Sequence, residues 1–338
     1  MGLASVPDTH TAGRILSRSP LVTISNVNRD VPAGIASFAP DLFDGKPALH
    51  LLHHTWTLQR GDARWITEAI QRAQSLLPQS SFVMLASNDL EALEFSARGE
   101  QCFVASALMF LDERVWRPIA GPNAQPQFGA VYVSRPDRMK RHELAARIER
   151  LLLIYGYALD KEGDSLARVR ALLPNAYFAN HEVGEGRYRY LGPETVAMLL
   201  GRSQVGLCLS AEEGCMRASM EYLMCGLPIV STRSLGGRDR YFVGDYCKIV
   251  DDDPEAVAWA VTMLKNRNLD RMRIREHVGQ LVAFDRYNFL LTINGLVESR
   301  FGVSDVFPSI MPFIGAGASF EKASVIYERI KTTLTDMS

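Results

Sequence analysis

Apolar runs alternate with amphipathic stretches along most of the 338 residues, the pattern of an α/β protein built on parallel sheets. In the first third, short apolar runs predict strands at 21–26, 48–53, 81–86 and 102–105, with helices between them at 63–76 and 90–99. The stretch 120–127, AGPNAQPQ, breaks the alternation, and its Pro, Gly, Asn and Gln content marks a linker. A second series follows. A strand is predicted at 128–134, then a helix at 140–155 whose Leu144, Ile148, Leu151, Leu152 and Tyr155 form one stripe. Strands at 176–179, 205–210, 228–232 and 247–250 alternate with helices at 193–202, 216–224 and 254–265. A long helical tail at 271–300 and an amphipathic helix at 320–334 complete the chain. The predicted organisation is a domain at 1–124, a second at 125–300, and a tail at 301–338 whose helix is a candidate to pack back on the first domain.

The most informative stretch is 207–232, LCLSAEEGCMRASMEYLMCGLPIVST. It reads as a buried strand, a turn carrying Glu213, a short helix carrying Glu221, a glycine stop and a second buried strand. Two carboxylates on either side of a helix start suit a bound nucleotide-sugar. On one helix their spacing would be about 12 Å of rise, the span from a transferred sugar to a ribose. The helix start between them offers N–H groups and a positive dipole end to a diphosphate, and ionised carboxylates accept charge-assisted bonds from vicinal hydroxyls. Met220, Leu223 and Met224 give Glu221 apolar neighbours, so it is expected to have a partner rather than a solvated helix position. Upstream, SRPDRMKRH (134–142) puts Arg135 and Lys140 at the carboxyl end of a strand, where open α/β sheets bind ligands. A guanidinium and an ammonium there suit a diphosphate leaving group; the plainer alternative is a solvated basic helix start.

Over residues 128–265 the chain resembles the group-1 family of retaining nucleotide-sugar glycosyltransferases, which have the GT-B fold. Four pieces carry the resemblance in order: Arg135 and Lys140, like the family's Arg–x4–Lys clamp; Tyr190-Leu191-Gly192 before a helix, like its strand end beside the base pocket; Glu213-Gly214 with Glu221, like its Glu–x7–Glu motif; and Leu235-Gly236-Gly237, like its glycine pair. The resemblance implies two Rossmann-like α/β domains facing a central cleft, the N-terminal one short. It implies that Glu213 contacts the transferred sugar, Glu221 the ribose, and the backbone of Gly214, Cys215 and Met216 the diphosphate and sugar. Arg135 and Lys140 would stabilise the departing diphosphate. Met216 stands where the family often has a second glycine, which bears on the identity of the sugar. Gly236 and Gly237 would serve a close approach to ligand, or equally a plain turn.

The first domain is less legible, and Ala33-Gly34-Ile35 is its nearest match to a glycine-rich opening turn. The run HLLHHTW (50–56) follows or ends a strand and is expected to point at the interdomain cleft. The family implies a histidine near the donor sugar, a role His54 or His53 would fill, with two satisfied strand-end histidines as the alternative. Arg60 is a further candidate. Other signals have simpler readings. Asp253 suits an N-cap before Pro254 at N1, against a metal site at Asp251-Asp252-Asp253. Gly315-Ala316-Gly317 lacks the third glycine and the strand of a dinucleotide fingerprint. The histidines form no ligand cluster, so no metal or other cofactor is expected.

Composition narrows the classes. A net charge of −1 argues against a nucleic-acid partner. Five cysteines without a CxxC pair suit a reducing compartment, and no signal peptide or membrane-length apolar run is seen, so the expected location is cytoplasmic. The basic residues between Arg135 and Arg150 make the inner membrane face a further candidate partner. The expected activity is retaining transfer of a sugar from a nucleoside-diphosphate donor to a hydroxyl acceptor: a glycan, lipid-linked sugar, protein or small molecule. The rivals are a nucleotide-sugar epimerase, a phosphorylase, and a non-catalytic nucleotide-sugar-binding or assembly partner. The base, sugar, acceptor and oligomeric state stay open.

Overall fold

The computed structural model describes residues 6–58, 63–119, 125–156, 165–316 and 320–335. The chain divides into two compact units, Met1–Leu111 with Ala283–Ser338 (unit 1) and Asp112–Val282 (unit 2). In chain order the first elements are β1 (His10–Thr11), β2 (Gly13–Arg18), β3 (Leu21–Asn26), α1 (Ile35–Phe38), α2 (Pro40–Phe43), β4 (Ala48–His53), α3 (Ala63–Leu76), β5 (Ser80–Ala86), α4 (Asp89–Ala97) and β6 (Cys102–Val104). Unit 2 contains β7 (Ala130–Val133), β8 (Leu151–Ile154), α5 (Ser165–Leu172), β9 (Tyr177–Phe178), α6 (Ala179–Glu182), α7 (Pro193–Gly201), β10 (Gly206–Cys208), α8 (Arg217–Met224), β11 (Ile229–Thr232), β12 (Cys247–Val250) and α9 (Pro254–Asn266). The last elements are α10 (Arg271–Phe301), β13 (Glu321–Lys322) and α11 (Ala323–Thr335).

The sheet of unit 1 has the order β2-β3-β4-β5-β6, parallel except for the edge strand β2, which pairs antiparallel with β3. Its parallel strands follow one another across the sheet without reversal, so right-handed crossovers carry α1–α4 to one face. There Leu21, Ala48, Leu52, Phe82 and Met84 pack with Ile35, Phe43, Ile66, Ile70 and Phe95. Ala323, Ile326, Ile330 and Leu334 of α11 complete that core. The other face is covered differently: Phe103 of β6 meets Phe289 of α10, whose ring also packs on Phe110 and Phe313. Strands β3 and β4 are buried along their whole length, which is why they read as unbroken apolar runs. Gly34, with φ +59, passes so close to Ser25 that a Cβ would stand 1.9 Å from the Ser25 hydroxyl.

The sheet of unit 2 is wholly parallel, in the order β12-β11-β10-β7-β8-β9. The chain winds outward from β7 through β8 to β9, then returns to β10 beside β7 and winds the other way. That reversal makes a topological switch point between β7 and β10.

The helix predicted at 140–155 does not form. Residues Arg138–Lys140 and His142–Ala145 make two single 3-10 turns, Arg141 and Arg150 take left-handed backbone with φ 49 and 51, and Leu151–Ile154 is strand β8. A four-residue apolar run fits a helical stripe and a buried strand equally well, and here sheet pairing on both sides of β8 decides. The expected joins near 124 and 300 also lie further along than the divisions between the units. Trp116 is buried, and Arg275 of α10 donates to the carbonyls of Trp116 and of Glu113 (2.9 Å), which ties the segment after Leu111 into unit 2. Helix α10 runs unbroken for 31 residues from unit 2 into unit 1. Edge strand β2 and helices α1, α2 and α5 had no prediction. No described helix is long and apolar enough to cross a membrane.

Candidate functional site

The switch point of unit 2 brings together three of the predicted pieces, Lys140, Glu213 and the Gly236-Gly237 loop. After β7, Tyr132 donates its phenol to the Lys140 carbonyl at 2.5 Å, fixing the 3-10 turn, and Ser134 Oγ lies 3.0 Å from His142 Nε2. The turn brings Lys140 to the end of β10, where its ammonium donates to Glu213 Oε1 and both side chains are buried. Ser210 Oγ donates to the same carboxylate oxygen at 3.1 Å. Burial first, and then the charge of Arg135, pulls the Lys140 ammonium down to about 8; direct contact with the Glu213 carboxylate works the other way.

Glu213 is held by its backbone as well. Its N–H donates to the Leu235 carbonyl (2.9 Å), and Leu235 N–H donates to Ala211 (2.8 Å). Gly237 N–H donates to the Gly214 carbonyl (3.1 Å) and Arg238 N–H to that of Glu213 (3.3 Å). Two loops, one after β10 and one after β11, are thereby knitted together. Gly236 permits this: it has φ +108, and a Cβ there would stand 2.2 Å from the Glu213 carbonyl oxygen. Gly237, with φ −95, has ordinary backbone and serves as the N-cap of the turn Arg238–Tyr241.

Two arginines that the sequence reading passed over organise the same strand ends. Arg238 is 0 % exposed and donates to the Ser210 carbonyl (2.7 Å), Ser231 Oγ (2.8 Å), the Thr232 carbonyl (2.5 Å) and the Asp239 carboxylate (2.7 Å). Arg141 donates to the Leu209 carbonyl, Thr232 Oγ1 and Asp252, each at 2.6 Å. Carbonyls at the end of a parallel sheet have lost their ladder partners, and buried ones need donors. The available signal was position, since each arginine directly follows a predicted site residue, Lys140 or Gly237.

Helix α8 starts at Arg217, and its N-cap Met216 offers no side-chain acceptor to the first-turn N–H groups. Gly214 and Met216 are buried, while Cys215 is half-buried, with burial pushing its thiol up to about 12. One turn into α8, Glu221 is 8 % exposed with Arg217 Nε 3.4 Å away, the partner the sequence predicted it would need. Burial pushes its carboxyl up to about 7, with Arg217 opposing. Arg135 stands at the exposed mouth and pairs with Asp137 at 2.9 Å. Tyr190 is 72 % exposed, just before buried Leu191 and Gly192, the N-cap of α7. At the end of β8, Tyr155 hydrogen-bonds His181, and the Tyr188 ring lies 5.9 Å from that of Tyr155, an aromatic cluster the sequence did not suggest.

His54, like its alternative His53, belongs to unit 1, whereas Arg135, Lys140, Tyr190, Glu213, Glu221 and Gly236 belong to unit 2. His54 is buried, with Nδ1 2.8 Å from the Trp56 carbonyl and 3.1 Å from the Trp56 amide. Arg60 and Gly317 lie outside the described residues. Asp253 caps α9 by accepting from Ala256 N–H at 3.0 Å, with Pro254 at N1 as its sequence predicted. Among the described residues no group of three His, Cys, Asp or Glu side chains is placed to hold a metal ion.

The mixed α/β architecture with its parallel sheets is that of the GT-B fold. Solved structures share this fold. HepE from Anabaena, crystallised with UDP, is 14% identical, with 89% of this chain and 76% of that chain covered and a TM-score of 0.51. TarM is also 14% identical, with 89% of this chain and 53% of that chain covered and a TM-score of 0.50. No family profile and no curated protein sequence matches the chain.

Proposed function

We propose that the chain is a glycosyltransferase that moves a sugar from a nucleoside-diphosphate donor to a hydroxyl acceptor with retention of configuration. The buried Lys140–Glu213 pair at the β7/β10 switch point is the observation that carries this reading. As the glycosidic bond breaks, charge grows on the leaving diphosphate. Lys140 and Arg135 are cations positioned after β7 to stabilise it, helped by the uncapped start of α8. Glu213, fixed by Ser210 and the Gly236 loop, orients hydroxyls of the sugar as the centre becomes oxocarbenium-like. Glu221 accepts from the ribose hydroxyls, and the Tyr155–His181–Tyr188 cluster offers a stacking surface for the base. No metal or other cofactor enters the proposal. UDP is the first nucleotide to test, because HepE was crystallised with it.

The test is a thermal-shift titration of UDP, GDP, ADP, CMP and dTDP against the wild type and Glu221→Ala. A nucleotide at about 100 times its Kd adds roughly 2.7 kcal/mol to the folded state. The reading expects one nucleotide to stabilise the wild type selectively and Glu221→Ala to lose that effect. Absence of any nucleotide effect on the wild type sets the reading aside in favour of a fold that has lost the donor site.

A further inference from the structure

Unit 1 contains a cavity of its own, of about 460 Å³, between the ends of β3 and β4 and the segments that carry β1, β2, β13 and α11. Its lining includes Arg14, His53, Glu321 and Arg329, with Ile24 and Ala12 as apolar wall. His53 is 2 % exposed, and among the described residues neither of its ring nitrogens has a hydrogen-bond partner. It points away from the helix-covered core, since its neighbour Leu52 fills that core and side chains alternate along a strand. Asn26, paired in register with His53, likewise has a buried side-chain oxygen without a partner among the described residues.

The charges around this cavity do not balance. Arg329 pairs with Glu321 at 2.6 Å and donates to the Gly13 carbonyl at 3.0 Å. Arg14 donates only to the Ile314 carbonyl (3.0 Å), its Nε is buried without an acceptor, and it pairs with no carboxylate among the described residues. The cavity lining therefore holds two guanidiniums and one carboxylate, and that carboxylate is taken by Arg329. Burial and then the Arg329 charge lower the Arg14 pKa, and burial holds His53 near 4, so the ring is neutral at physiological pH. A neutral imidazole has one N–H donor and one acceptor. A hydroxyl matches both, and an oxyanion matches the unpaired guanidinium edge.

We propose that this cavity is a binding site for a small hydroxylated anion, a sugar phosphate or sugar carboxylate, with the oxyanion on Arg14 and a hydroxyl on His53. The volume suits a ligand of monosaccharide size rather than an inorganic ion alone. Every residue named belongs to unit 1, so the proposal stands apart from the donor reading and fails separately from it.

The test is isothermal titration calorimetry of the full chain, without nucleotide, using glucose 6-phosphate, glucuronate, glucose and inorganic phosphate. The expected result is binding of at least one acidic sugar, the tighter one naming the oxyanion, and weakening by tenfold or more for neutral glucose and for inorganic phosphate. Arg14→Gln is expected to lower acidic-sugar affinity tenfold or more and Arg14→Lys to retain part of it, with circular dichroism confirming each fold. His53→Ala is expected to weaken the acidic sugars but leave inorganic phosphate unchanged. Failure of both acidic sugars to bind the wild type overturns the proposal, as does equal binding of glucose or an unchanged affinity in folded Arg14→Gln. The wild-type arms decide this even if a variant does not fold. Recovery of the anion after incubation with a nucleotide-sugar separates an acceptor, returned glycosylated, from an effector, returned unchanged; either keeps the site.

Discussion

Glu221→Gln should stabilise the ligand-free protein at pH 8 while weakening nucleotide binding. The carboxyl is buried, Arg217 3.4 Å away is itself half-exposed, and burial raises its pKa from 4.5 to about 7. Below pH 4.5 the group is protonated in both folded and unfolded chains and costs nothing. Between pH 4.5 and 7 the folded chain holds a proton that the unfolded chain has released, so stability falls as pH rises through this window. Above 7 the folded chain carries the buried charge in full. At 1.36 kcal/mol per pKa unit the loss is about 3 kcal/mol, an order-of-magnitude figure. Glutamine keeps the shape and hydrogen-bonding capacity without the charge. Urea unfolding of both proteins between pH 4.5 and 8 is the assay. The stability difference should grow in favour of Glu221→Gln by about 3 kcal/mol across that range, with unchanged m-values. Parallel curves, or a variant that loses ground above pH 7, would refute the reasoning that Glu221 is a poorly compensated buried charge. On the donor reading, losing a charged acceptor should weaken UDP binding tenfold or more, since such bonds contribute about 1.5–3 kcal/mol.

Further outcomes follow from the same site. Arg238→Met leaves the Ser210 and Thr232 carbonyls and the Ser231 hydroxyl without their donor, at about 1–3 kcal/mol each; a loss of roughly 3 kcal/mol or more in urea midpoint experiments is expected. Gly236→Ala drives a Cβ against the Glu213 carbonyl at a left-handed backbone position and should lower Tm and, on the proposed function, kcat/KM as well, both measured on the same preparation. Burial lowers the pKa of the Lys140 ammonium, so on the proposed function transfer should fall on the alkaline side as that proton is lost. Lys140→Arg should move that alkaline fall upward in a pH–rate profile. Retention is checked by NMR of the product anomer formed from an α-linked donor, and an inverted product would remove that part of the proposal.

Most of unit 2 was legible because its strands are short apolar runs bounded by turn residues and its helices carry plain start signals, as Asp253-Pro254 shows. The 207–232 stretch folds as read, strand then helix then strand, with Glu213 before α8 and Glu221 within it. The pairing of Lys140 with Glu213 across 73 positions was not legible, because it depends on the order of strands in the sheet rather than on local pattern. Residues 140–155 misled for a definite reason: Leu151–Ile154 has no polar alternation, and two left-handed arginines, Arg141 and Arg150, break the backbone where composition gives no glycine to announce it. Arg238 and Arg141 were hidden by their chemistry, since a charged side chain usually marks surface and these two serve strand-end carbonyls.

The helix-covered face of the unit 1 sheet also sets an order of events during synthesis. Its strands and crossovers are made first, yet Ala323, Ile326, Ile330 and Leu334 of α11 complete their core. About 210 residues separate Leu111 from α11, so at about 5–20 residues per second a nascent unit 1 waits roughly 10–40 s for its last helix. The whole of unit 2 emerges within that interval as one continuous segment. On the ribosome, then, the middle of the chain is ready to fold before its beginning is, and the apolar face awaiting α11 is the surface a chaperone would have to shield.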